Sequence, residues 1–142
     1  PPGYFLFDAY YQYHCIIFPE TSWINNQHFA TEKIYKCFVS GAIPFPISGA
    51  YTHQLYNKHG YYTAWNLLPT ELQEFDNELD HRVRVEKTIQ AISWLNDSDA
   101  FISKQAEDIR QQNQNNFYKN TLDLISVERL DRILKQSGKY IE

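Results

Sequence analysis

The side chains best suited to chemistry crowd two short stretches, Glu20-Thr21-Ser22 and Thr31-Glu32-Lys33. The second stands where a helix begins. Ile34, Cys37 and Phe38 follow at the i, i+3, i+4 spacing of a buried face, and Gly41 closes the run. A helix start presents unpaired backbone N–H groups and the positive end of its dipole, which suits a phosphate. Lys33 adds a cation there, and Thr31 reads as an N-cap that can also touch the phosphate. Glu32 is the odd member, because a carboxylate repels phosphate. It fits if it accepts hydrogen bonds from sugar hydroxyls beside the phosphate. The group therefore points to a nucleotide or nucleotide-sugar rather than a bare anion. A plainer reading stands beside it, a solvated first turn in which Glu32 complements the dipole.

These residues need elements to hold them. Cys15-Ile16-Ile17-Phe18-Pro19 is a short continuous apolar run, the pattern of a buried parallel strand. Glu20 and Ser22 then lie at its carboxyl end, where open α/β sheets bind their ligands. Residues 42–47 read as a second strand, with Pro44 and Pro46 removing ladder donors and placing it near an edge. Residues 50–58 read as a short helix ending at Gly60, and Tyr61 to Trp65 as a third strand. That order predicts a parallel sheet with helices on its faces.

After Pro69 only helical periods remain. One helix is expected over about 76–96, burying Val85, Ile89 and Ile92, and another over about 98–112, burying Ile102, Ala106 and Ile109. The run Gln111 to Asn116 reads as a helix end or linker, and a last helix within 117–137 uses Leu130, Ile133 and Leu134. The expected organisation is one α/β domain over 1–142: an irregular lead-in at 1–14, an α/β core at 15–66 and a helical tail at 70–138.

Composition narrows the function. With 142 residues, 43% hydrophobic and 21% charged, the chain can bury a real core. A net charge of −4 argues against nucleic acid, whose binders carry a basic face. No apolar run approaches the roughly 20 residues of a membrane span. The beginning shows no basic-then-apolar leader, so a soluble, cytoplasmic protein is expected. It also begins with Pro-Pro-Gly and holds no methionine, so a processed chain or a piece of a longer one is expected. Cys15 and Cys37 lack metal spacing and read as reduced, mostly buried thiols, and the five histidines form no ligand pattern. No metal or other cofactor is expected.

The stretch Ile16-Ile17-Phe18, Glu20-Thr21-Ser22, Phe29-Ala30-Thr31-Glu32-Lys33 and Ser40-Gly41-Ala42-Ile43-Pro44 resembles the α-1,3-fucosyltransferase family. Its members show an apolar strand, a Glu-Asn-Ser-like triplet, an aromatic-x-Thr-Glu-Lys segment, a helix and an Ile-Pro strand in that order. Thr21 replaces the family's asparagine, and Pro46 interrupts a strand that is usually apolar. The chain is also similar to uncharacterised phage-type proteins with the same Thr-Glu-Lys core. The resemblance implies the Rossmann-like, donor-binding C-terminal half of a GT-B glycosyltransferase, with a short parallel sheet followed by a helical tail.

Further implications come with it. Glu20, Ser22, Thr31, Glu32 and Lys33 would bind a nucleoside-diphosphate sugar, a guanosine-diphosphate sugar in this family. Glu32 would hold the ribose hydroxyls, and Lys33 would neutralise the diphosphate as the sugar leaves in an inverting, metal-independent transfer to a hydroxyl acceptor. Leaving-group departure needs such preorganised positive charge. The catalytic base would come from an acceptor-side domain or partner chain. No catalytic residue is assigned within this chain. A second expectation, from another class, is a non-catalytic, virion-associated or structural descendant that uses the tyrosine-rich residues 4–14 as a contact surface. Arg82, Arg84 and Lys36 could extend a positive patch but read first as solvated or ion-paired. Trp23, Trp65 and Trp94 read first as core.

Overall fold

The computed structural model describes residues 10–20 and 32–124. Within them the protein is mixed α/β and mostly helical. Strand β1 (Cys15–Pro19), helix α1 (Glu32–Ser40) and strand β2 (Ile43–Ile47) form a strand–helix–strand unit whose strands pair in parallel, Cys15 opposite Ile43 and Pro19 opposite Ile47. Helices α2 (Thr52–Lys58), α3 (Thr70–Gln73), α4 (His81–Asp97) and α5 (Lys104–Leu124) follow, joined by short 3₁₀ turns at Ala64–Leu67, Glu74–Asn77 and Ala100–Ile102.

Both strands and α1 lie where the sequence predicts. Gly41 ends α1 at φ 77°, a conformation that costs glycine little. The prolines of β2 are tolerated for a geometric reason. Ile43 N–H donates to the His14 carbonyl and Glu20 N–H to the Ile47 carbonyl. Odd-numbered residues of β2 therefore face β1, and Pro44 and Pro46 fall where the missing N–H would point away.

The sheet has a hydrophobic cluster on each face, as its pleat requires. Ile16 and Phe18 pack with Ile34, Cys37 and Phe38 of α1, and with Tyr56, Tyr61 and Phe117. Cys15, Ile43, Phe45 and Ile47 pack on the other side, with Ala91 and Leu95 of α4 and Ala106 and Ile109 of α5. Helix α5 thus serves both clusters.

Three expectations are corrected. The predicted third strand at 61–65 does not form, and the described sheet has two strands. Tyr62 N–H donates to Asn113 Oδ1 (2.8 Å) and its carbonyl accepts from Asn113 Nδ2 (2.7 Å), so a buried amide on α5 takes the place of a neighbouring strand. Thr63 and Asn66 then exchange hydrogen bonds in a capping box that turns the chain into a 3₁₀ turn.

Second, α4 buries Arg84, Thr88, Ala91 and Leu95, while Ile89 is 61% exposed. The fully buried row lies one position from the predicted one, and of the predicted residues Ile92 is partly buried against the same cluster as Ala91 and Leu95. Arg84 is satisfied there by the Glu78 carbonyl (2.8 Å). Third, the polar run Gln111 to Asn116 is neither an end nor a linker but the middle of α5. Asn116 caps the His59 and Gly60 carbonyls, as Asn113 holds Tyr62. Ile102, at 72% exposure, sits in a turn before α5 and is not part of its buried face.

Trp65 and Trp94 pack against the second of the two clusters, as expected for core tryptophans. The lead-in at 1–9, the loop with Trp23 and the last helical stretch with Leu130, Ile133 and Leu134 lie outside the described residues. No described helix is long and apolar enough to cross a membrane.

Candidate functional site

The carboxyl end of β1 is where the crossover to α1 leaves the sheet. Glu20 is pinned there because its N–H continues the ladder by one bond, to the Ile47 carbonyl at 3.0 Å. It has the parity of Ile16 and Phe18, which turns its side chain toward the α1 face, and it is only 3% exposed. One carboxylate oxygen, Oε1, accepts a long 3.5 Å hydrogen bond from the Tyr56 hydroxyl. The other, Oε2, is buried with no hydrogen-bond partner among the described residues. Buried acceptors are nearly always paired, and a buried carboxylate without a cation is costly. Glu20 Oε2 is thus an acceptor that no described residue fills.

Lys33, in the first turn of α1, donates from Nζ to the Pro19 carbonyl at 2.9 Å. Its ammonium is thereby tied to the residue next to Glu20, yet no described ion pair joins the two side chains. One bond to a carbonyl leaves two of its three donors for an anion. Of the five residues predicted for the site, Glu20 and Lys33 are thus brought to the same strand end. Ser22 and Thr31 lie outside the described residues, as does the side chain of Glu32, whose backbone opens α1.

Sequence reasoning missed Tyr56. It reaches the site from α2, and its ring packs with the α1-side cluster. Burial pushes its phenol well above the usual tyrosine range, and the Glu20 charge pushes the same way, so Tyr56 remains a neutral donor at any ordinary pH. Burial also raises the thiols of Cys37 and Cys15 to about 12, which keeps both free cysteines protonated and unreactive. The described residues contain no cluster of three metal-ligating side chains.

A second buried polar group invites a catalytic interpretation and does not sustain it. His53 Nδ1 lies 2.7 Å from Thr63 Oγ1, with Asp76 close by, a superficial nucleophile–base–acid set. All three are buried, at 2% exposure or less. Asp76 does not orient the imidazole. Its two oxygens accept the backbone N–H groups of His53 (3.1 Å) and Gln54 (3.0 Å) at the start of α2. Tyr51, at the N-cap position in the left-handed conformation, offers no side-chain cap, and Asp76 supplies it from another part of the chain. Burial lowers His53 to about 4, against the opposing pull of the Asp76 charge, so it stays neutral.

An open cleft of about 520 Å³ between the Gly60 turn and α5 is lined largely by side-chain amides. Asn116, at its edge, is already spent on the His59 and Gly60 carbonyls.

No family model, curated protein or solved structure matches this chain significantly. The functional reading therefore stands on the residues and their geometry.

Proposed function

We propose that this chain is the donor-binding part of a glycosyltransferase of the fucosyltransferase-like, GT-B kind, a Rossmann-like half that holds a nucleoside-diphosphate sugar at the carboxyl end of β1. The observation that carries this reading is Glu20, a buried carboxylate with an oxygen left unpartnered among the described residues, placed where the parallel strand–helix–strand unit opens. The diphosphate lies at the start of α1, where backbone N–H groups and Lys33 offset its charge. As the sugar leaves, charge grows on the β-phosphate, and Lys33 stabilises it there. Glu32, in the same turn, accepts from ligand hydroxyls as the family resemblance implies. Ser22 and Thr31 complete the set by the same resemblance. The base that takes the acceptor's proton belongs to an acceptor-side domain or partner chain.

Titration calorimetry with GDP and UDP tests the assignment. Lys33→Ala and Glu32→Ala are each expected to weaken binding about tenfold, or ~1.4 kcal/mol. Isotherms indistinguishable from the parent's would remove both residues from the site.

The exposed side chains of Tyr11 and Tyr13 favour one other reading, a non-catalytic module that uses this tyrosine-rich surface for assembly. A stable hetero-oligomer that binds no nucleotide is the result that would select it.

A further inference from the structure

Glu20 asks for more than a place in a phosphate site. Phosphate oxygens carry no proton to donate at neutral pH, and their charge repels a carboxylate. Lys33 donates to the Pro19 carbonyl, and Glu20 is the next residue along the chain. What Glu20 Oε2 lacks is a donor. In a nucleoside-diphosphate sugar held at this strand end, the sugar hydroxyls are donors close to the phosphates.

We propose that Glu20, held in place by Tyr56, reads hydroxyl groups of the ligand, with Oε2 accepting their O–H bonds. Tyr56 is the positioning residue. Its hydroxyl makes a long 3.5 Å contact to Oε1, on the opposite edge of the carboxylate from the unpartnered Oε2. Because the phenol stays protonated, Tyr56 keeps a proton to donate to Oε1. The inference rests on reading the end of β1 as the ligand site. The hydroxyls belong either to the ribose or to the transferred sugar, and both present the same chemistry to Oε2.

The test compares the parent with Glu20→Ala, Glu20→Gln and Tyr56→Phe in two binding ratios. GDP against its 2′,3′-dideoxy analogue reports on the ribose, and GDP-mannose against GDP reports on the transferred sugar. The parent is expected to show a preference of about tenfold or more in one ratio, as polar sites reject analogues lacking the hydroxyl they bind. Glu20→Ala should erase that preference, Glu20→Gln, which keeps one acceptor oxygen, should reduce it, and Tyr56→Phe should reduce it with little change in Tm. A purely structural role would move Tm and leave the ratios alone, which would overturn the proposal.

Thermal unfolding with high concentrations of ribose and methyl glycosides, ligands without a diphosphate, separates the two levels of the argument. If the parent ignores all nucleotides but these sugars raise its Tm and not that of Glu20→Ala, the nucleotide-sugar reading falls and the hydroxyl reading stands. If nucleotides bind with the same ratios in parent and variants, the hydroxyl reading falls and the nucleotide site stands. If no ligand distinguishes parent from Glu20→Ala, Glu20 does not read hydroxyls.

Discussion

Two carboxylates, Glu20 and Asp76, are buried to nearly the same degree, and they differ in what their oxygens touch. Both Asp76 oxygens accept backbone N–H groups, closing the start of α2. Glu20 has one long bond to Tyr56 and one oxygen unpartnered among the described residues. Burial alone therefore does not mark a functional acid. The proposed site rests instead on a difference in hydrogen bonding: both Asp76 oxygens are met within the protein, while Glu20 Oε2 has no partner among the described residues.

That contrast can be broken at several points. The largest effect is expected at Asp76. Asp76→Ala strands two buried N–H groups at the start of α2 and should cost about 3 kcal/mol in urea unfolding. A cost below about 1 kcal/mol would make Asp76 as dispensable to the fold as Glu20.

His53, beside it, should give a comparable effect through pH. Its folded value is lowered to about 4, against about 6.5 in an unfolded chain. As pH falls through this window the unfolded state takes up the proton first, so stability is full above about pH 6.5 and declines until about pH 4. The decline should approach 3 kcal/mol, and His53→Phe should flatten it relative to the parent. Parallel pH profiles for parent and variant would show that the buried imidazole is not the cause.

Asn113→Ala removes both partners of the Tyr62 peptide and should cost about 2 kcal/mol. Gly60→Ala should cost about 1–2 kcal/mol, because φ is 81° and the new Cβ would meet Asn116 Nδ2 at 2.8 Å. The smallest effect on folding belongs to Glu20→Gln. Removing an uncompensated buried charge should leave the ligand-free stability within about 0.5 kcal/mol of the parent or raise it. A large fall there would assign Glu20 to the fold.

Local signals carried much of this structure. The apolar run of β1, the i, i+3, i+4 face of α1, the Gly41 stop and the Gly60 turn are all written within a few neighbouring residues, and they lie where predicted. What failed depended on distant partners. Tyr61 to Trp65 reads as a strand, but the backbone of Tyr62 pairs with an amide 51 residues away on α5. The buried face of α4 carries Arg84 and Thr88 beside Ala91 and Leu95, polar residues that an apolar period does not mark, while Ile89 is exposed.

The proposed site divides in the same way. The place of Glu20 after a strand and that of Lys33 in a first turn were legible locally. Tyr56 was not, because only packing of α2 against the α1 side of the sheet brings it to Glu20. The Asp76 cap was equally hidden, since it lies 23 residues from the N–H of His53 that it accepts.

The most direct test of the central claim is a GDP titration of the parent and Glu20→Ala, run at matched folded fraction. The account predicts saturable binding by the parent and binding at least about tenfold weaker by the variant. Superimposable isotherms would contradict it, and would return Glu20 to the fold beside Asp76.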